Sequence, residues 1–182
     1  MAVPVAVVDA NVLYSIELTD LLLTLGTRRL VRLHWSPAIL DEVRRNLALR
    51  PDLSAEAIDY RLDRMNLALP GALDEAPPAL VESMPVNHKD RHVLALAVHV
   101  EAGTLVTFNL RDFPPAACEA YGIEARSPDD FLTTVADADV IGVRGALAAM
   151  AGRRSRPPMS VDQVLDRLAR ELPSFERRVR LA

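Results

Sequence analysis

Four acidic residues stand where a purely structural role explains them poorly. Asp9 comes directly after a short apolar run typical of a strand that is buried on both faces. Glu42 lies one turn inside the segment SPAILDEVRRNL, beside its apolar stripe. Asp90 opens the strongly apolar helix pattern DRHVLALAVHV, and Asp112 follows another strand pattern, in TFNLRDF. Residues far apart in the chain thus offer four carboxylates to one region.

The chemistry of such a cluster follows from its charge. Close carboxylates repel one another unless they are protonated or neutralised by cations. Oxygen donors suit hard ions, so Mg²⁺ is the predicted cofactor, with Mn²⁺ as a substitute. Metal ions held in this way polarise a phosphodiester and lower the pKa of a bound water. Phosphodiester hydrolysis is the activity that this pattern predicts.

Structural alternatives remain open at three of the four positions. Asp9 and Asp90 each precede a helix pattern, so either could simply cap the helix that follows. Glu42 could form an ordinary ion pair or hydrogen bond with Arg45 or Asn46. The acids in SPDDF, Asp129 and Asp130, are explained by the dipole of the helix that they begin.

The elements that must position these acids alternate between strand and helix patterns. Strands are predicted at 3–8, 31–35, 104–108 and 123–125, and helices at 18–25, 37–49, 54–69, 90–101 and after Ser127. The segment 70–87 is predicted to be mostly loop, with a short strand or turn near Val81. This alternation predicts a central parallel sheet in a three-layer α/β/α fold. In such folds ligands bind beyond the carboxyl ends of the strands, where Asp9 and Asp112 are expected.

The end of the chain differs in pattern and charge. Residues 1–135 carry 12 basic and 19 acidic residues, whereas residues 136–182 carry 9 basic and 6 acidic residues. We predict a nuclease-like domain over 1–135 and a small helical extension over 136–182. The extension shows three helix patterns, with capping-box spacing at Ser160 and Gln163 and an arginine-rich linker at 153–158. The basic tail has two readings: solvated helices, or an arm, including Arg153, Arg154 and Arg156, that positions RNA.

Composition excludes several classes of protein. The 182 residues contain no apolar run near the ~20 residues of a membrane span and no signal-peptide pattern. The single cysteine, Cys118, forms no internal disulfide, so a cytoplasmic protein is expected. No glycine-rich phosphate loop is present. The excess of acids in residues 1–135 argues against a broad phosphate-binding surface, although metal ions could still hold a nucleic acid.

Taken together, four blocks resemble the PIN-domain nucleases, and most closely the VapC-type toxins with a helical C-terminal extension. The blocks are DANVL, SPAILDEVRRNL, DRHVLALA and VTFNLRDFP. The resemblance implies a Mg²⁺-dependent endoribonuclease. It implies that Asp9, Glu42, Asp90 and Asp112 form the acidic quartet. By analogy Asp9 and Asp90 are the main metal ligands, and Asp112 contributes a contact to a second metal ion or a second-shell contact. Glu42 holds or activates water, and Thr107 and Asn109 support the water network.

The resemblance also implies partners: an RNA substrate, a cognate antitoxin protein that covers the acidic rim, and a homodimer. The sequence departs from similar proteins of this group at 87–89, where they carry further acids and this chain carries Asn87, His88 and Lys89. Lys89 could partly neutralise the site or contact a substrate phosphate. Either role puts a second metal ion in doubt.

Three other readings compete with the toxin. His88 and His92 have a spacing that can bind zinc on one helix face, although no cysteine or HExxH pattern supports them. A housekeeping PIN nuclease in RNA processing would share the chemistry without the toxicity. A regulator that binds RNA or protein without cutting would share only the acidic rim.

Overall fold

A four-stranded parallel sheet forms the centre of the molecule, in a computed structural model that describes residues 2–154 and 157–182. The strand order is β2-β1-β3-β4, with Val7 paired to His34 on one side and to Leu105 on the other. The strands are β1 (Val5–Val8), β2 (Arg32–His34), β3 (Thr104–Val106) and β4 (Glu124–Arg126). The central strand β1 is buried because both of its edges and both of its faces are covered.

Helices surround this sheet and complete the predicted three-layer α/β/α fold, which is confirmed. The helices of the nuclease-like part are α1 (Ile16–Thr27), α2 (Pro37–Leu47), α3 (Ala55–Ala68), α4 (Pro78–Ser83), α5 (Arg91–His99), α6 (Pro115–Cys118) and α7 (Pro128–Ala138). Helix α5 packs on β1 and β3, as its nearly all-apolar sequence predicts. Ser36, Ser54 and Ser127 cap α2, α3 and α7 through their side chains.

Three more helices follow: α8 (Val140–Arg153), α9 (Val161–Leu168) and α10 (Pro173–Arg180). Their predicted apolar positions, such as Val143, Leu165 and Phe175, are buried in the same core as the sheet. The capping box between Ser160 and Gln163 is present. The domain boundary at 135/136 stays a prediction.

One local prediction was wrong. The segment 70–87 contains the helix α4 in place of a strand or turn near Val81. Pro78 stands at the start of this helix, where a missing N–H costs nothing. The chain after β3 also forms a 3₁₀ turn (Leu110–Asp112) before α6. None of the described helices is both long and apolar enough to cross a bilayer.

Candidate active site

Asp9 lies directly beyond the end of β1, buried to 8% exposure. Its Oδ1 accepts a hydrogen bond from the backbone N–H of Ala10 at 2.7 Å. Its Oδ2 accepts from Asn11 Nδ2 at 2.6 Å and from Thr107 Oγ1 at 2.7 Å. Because Thr107 follows β3, these bonds join the ends of two neighbouring strands. The carboxylate is therefore held in one orientation before any ligand arrives.

The alternative role of Asp9 as a helix cap is wrong. Residues 10–14 form turns, and α1 begins only at Ile16, where the side chain of Ser15 accepts from Leu18 N–H. The burial of Asp9 thus serves no helix end. Burying a carboxylate costs free energy, and a carboxylate buried at that cost without a structural role is typical of a functional site.

Thr107 is fully buried and is the centre of this network. Its hydroxyl donates to Asp9 and accepts from Asn11 Nδ2 and from the backbone N–H of Asn109, both at 3.0 Å. Asn109 takes part through its backbone, while its side chain points to an exposed position. Asn11 also accepts from Phe108 N–H at 3.1 Å. Sequence reasoning missed Asn11, whose only signal was its place two residues after Asp9.

Glu42 meets α5 rather than its own helix. His92 Nε2 lies 2.8 Å from Glu42 Oε1, within hydrogen-bond distance. The expected partners differ: Arg45 makes no such contact with Glu42, and Asn46 donates to the backbone oxygen of Glu42. The other ring nitrogen of His92, Nδ1, is buried without a hydrogen-bond partner among the described residues. Glu42 itself stays partly open, with 31% of its side chain exposed.

Asp90 and Asp112 approach each other from two 3₁₀ turns, His88–Asp90 and Leu110–Asp112. Asp90 occupies the N-cap position of α5, yet its side chain makes no capping hydrogen bond. Its Oδ2 is buried and has no hydrogen-bond partner among the described residues. The ammonium of Lys89 lies 3.8 Å from this oxygen and 3.5 Å from Asp112 Oδ2. The capping alternative for Asp90 is therefore wrong.

The charges of the four acids act on one another. Burial raises the pKa of Asp90; Lys89 opposes the shift, and the carboxylates of Asp112, Asp9 and Glu42 add to it. Burial likewise raises the pKa of Asp9, with Glu42 adding to the shift against the hydrogen bonds from Thr107 and Ala10. The structure thus brings together all four acids that the sequence singled out. Their catalytic roles stay a prediction.

Tyr14 is a further residue of this rim that sequence reasoning missed. Burial raises the pKa of its phenol, and the charges of Glu42 and Asp9 raise it further. The raised pKa keeps this hydroxyl protonated at neutral pH. Tyr14 lies in the turn that follows Asp9, where no helix or strand period could reveal its direction.

The donors suit Mg²⁺ better than zinc. Over residues 2–154 and 157–182, no three His, Cys, Asp or Glu side chains lie close enough to form a ready ligand set. Zinc needs such a set, and His88 and His92 do not supply it, because His88 is exposed in the 3₁₀ turn and His92 is bound to Glu42. Mg²⁺ keeps several waters and uses only one or two carboxylates, so the free oxygen of Asp90 and the neighbouring acids fit it.

Two comparisons with known proteins found similar sequences. Residues 128–181, which span α7 to α10, match the family described as "VapC50 C-terminal domain". The chain is also 37% identical over 101 residues to "Putative ribonuclease VapC50" of Mycobacterium tuberculosis (strain ATCC 25618 / H37Rv). In these two matches the chain resembles VapC-type proteins. The predicted resemblance to VapC-type PIN proteins is confirmed.

This VapC-like chain shares only part of its length with that relative. The aligned region covers 56% of this chain and 60% of the relative. No solved structure matches the chain. What the whole protein cuts and binds is therefore a matter for proposal.

Proposed function

We propose that this protein is a Mg²⁺-dependent endoribonuclease that hydrolyses RNA phosphodiester bonds and acts as the toxin of a toxin–antitoxin pair. The observation that carries the proposal is the convergence on Asp90. Burial raises the pKa of this partly buried group most, and three other carboxylates, from beyond the end of β1, from α2 and from the turn after β3, raise it further against the opposing charge of Lys89. Because these carboxylates repel one another, a cation bound at this solvent-open rim would stabilise them.

In this proposal Asp9 and Asp90 bind the ion directly, and Asp112 makes its contact through one of the waters that Mg²⁺ keeps. Bound Mg²⁺ would supply Lewis acidity toward a phosphate and lower the pKa of a water. Thr107 and Asn11 keep the Asp9 carboxylate aimed at the rim through their hydrogen bonds to Oδ2. His92 holds Glu42 by Oε1, which leaves Oε2 to accept a proton from a water. Tyr14 offers a neutral donor beside these two carboxylates.

The test compares two variants that remove one negative charge each. Asp9→Asn is expected to lower the rate of RNA cleavage in Mg²⁺ or Mn²⁺ by about 100-fold or more, the loss typical of groups that act directly. The matched control is Asp41→Asn, since Asp41 is exposed on α2 and pairs with Arg44 at 2.6 Å. It should retain most of the wild-type rate.

Circular dichroism on the same samples checks that both variants are folded. A folded wild type that binds RNA but leaves it uncut in both metals would contradict the proposal and would favour the non-catalytic regulator. Equal loss in the two variants would remove Asp9 from the site.

The partner in this proposal is an antitoxin that covers the acidic rim with a basic segment. The acidic balance of residues 1–135 supports such complementarity. Induced expression separates a toxin from a housekeeping nuclease: a toxin arrests growth, and co-expression of its antitoxin restores growth. Growth without arrest would favour RNA processing. A cytoplasmic location and a homodimer stay predictions.

A further inference from the structure

Lys89 is the only lysine in the chain; the other 20 basic residues are arginines. It lies in the 3₁₀ turn just before α5, beside the carboxylates of Asp90 and Asp112. Its Nζ is 3.8 Å from Asp90 Oδ2 and 3.5 Å from Asp112 Oδ2. These distances are longer than hydrogen bonds, so the contact is electrostatic. One positive charge thus lies between two acids of the site.

The oxygen that Lys89 faces has no better partner. Asp90 Oδ2 is buried, and over the described residues nothing donates a hydrogen bond to it. The neighbouring Arg91 turns away, and its Nε donates to the backbone oxygen of Val86 at 3.3 Å. Arg111, beside Asp112 in the chain, is exposed. The Lys89 ammonium is therefore the cation that acts on this pair.

Lys89 is also free to leave. Its side chain is 65% exposed, and an ammonium on a flexible four-carbon stem can move into solvent at low cost. A cation that is both close and mobile can compete with another cation for the same oxygens. If the ammonium and a second cation both lay beside these two carboxylates, the two cations would repel each other.

We propose that Lys89 is a built-in counter-cation of the Asp90–Asp112 pair, so that a divalent ion reaches this side of the site only by displacing the ammonium. The inference rests on the proposed function for the identity of the ion. It predicts that the acidic rim holds fewer divalent ions, and holds them more weakly, than its four carboxylates would allow. The role of Lys89 in this proposal is electrostatic, and no proton transfer is assigned to it.

The experiment measures Mn²⁺ binding by isothermal titration calorimetry on the full chain without RNA. Lys89→Ala is expected to bind Mn²⁺ about three- to tenfold more tightly than wild type, because a repelling charge a few ångströms away is gone. Lys89→Arg keeps the charge and should bind as wild type does. Arg111→Ala is the matched control, since it removes one nearby exposed positive charge that makes no ion pair with Asp90 or Asp112. It should change the affinity less than twofold.

A second readout is thermal unfolding without metal. Lys89→Ala should unfold at a lower temperature than wild type because Asp90 and Asp112 then repel each other. Added Mn²⁺ should remove this difference in unfolding temperature. Unchanged or weaker Mn²⁺ binding by Lys89→Ala would overturn the proposal. Equal tightening in Arg111→Ala would also overturn it, because the effect would then be net charge alone.

These results separate from those for the proposed function. If Lys89→Ala tightens Mn²⁺ binding but neither protein cuts RNA, the proposal for Lys89 is supported and the proposed nuclease function is contradicted. If wild type cuts RNA and Lys89→Ala binds Mn²⁺ as wild type does, only the counter-cation fails.

Discussion

At the scale of single residues, the acids of the rim differ in how firmly they are held. Asp9 accepts three hydrogen bonds, whereas Glu42 is held through one oxygen by His92, and Asp90 has one oxygen with no partner. A carboxylate with three donors is rigid. One with a free oxygen can accept a proton or a ligand, and this division suits a site in which one acid is fixed and others act.

The bond from His92 to Glu42 leads to a prediction at this scale. His92→Ala should lower the rate of RNA cleavage by about 10- to 100-fold, the usual result of losing the partner that orients a catalytic ligand. His92→Gln, whose amide can donate near the position of Nε2, should recover part of that loss. Single-turnover cleavage rates check the difference. Similar rates for both variants would show that the hydrogen bond does not orient Glu42.

At the scale of elements, one acidic side chain joins the N-terminal ends of α7 and α10. Helix α10 has no side-chain cap of its own, since Leu172 precedes it. Asp129, in the first turn of α7, accepts from the backbone N–H groups of Ser174 and Phe175 at 2.9–3.1 Å. Asp129 therefore stabilises the start of two helices, whereas the sequence predicted this role only for α7.

Asp129→Ala should lower the free energy of unfolding by about 1–2 kcal/mol, the size of a lost helix cap. The neighbouring control is Asp130→Ala, since Asp130 is exposed and bonds only within its own turn, to Ser127. It should cost less. Urea unfolding at neutral pH measures both. Equal losses would mean that the bonds to α10 contribute little.

At the scale of the whole molecule, α1 connects the acidic rim to the C-terminal helices. Arg154 pairs with Glu17 at 2.6 Å, and Arg153 pairs with Asp20 at 2.7 Å. Ser15, the cap of α1, donates to Glu171 at 2.7 Å. These arginines are therefore occupied within the protein, which favours solvated structural helices over an RNA arm. Arg156, the third arginine of the predicted arm, lies outside the described residues.

The double variant Arg153→Ala/Arg154→Ala tests this arrangement. In the Asp9→Asn background, RNA affinity should show an unchanged salt dependence, because arginines paired with acids release few counterions. A slope of log affinity against log salt that falls by about one or more would restore the RNA arm. A short single-stranded RNA is the probe.

The same double variant should be less stable by about 1–2 kcal/mol at neutral pH, between the values of exposed and buried pairs. Burial would raise the pKa of Glu17, but the hydrogen bonds from Arg154 and Arg167 outweigh it and lower the pKa. A lowered pKa stabilises the fold above about 4.5, the ordinary value of this group, and the gain is lost as the pH falls through the lowered pKa. The stability difference should therefore shrink in acid, as urea unfolding over a pH series would measure.

Much of the fold was predictable because its signals are local. Serines at 36, 54, 127 and 160 mark helix starts, and the apolar runs at β1 and α5 mark the buried elements. Helix α4 was not predictable in this way. Its start depends on prolines, which favour the first turn of a helix and a loop alike.

The sequence by itself determined that the acids at the strand ends lie at one rim, because strand ends in a parallel sheet share one edge. Only the tertiary structure decided their partners. Asn11 to Thr107, His92 to Glu42, and Lys89 to Asp112 join residues 96, 50 and 23 positions apart. Side-chain periods describe neighbours within an element, whereas these contacts depend on how separate elements pack and where irregular turns aim their side chains.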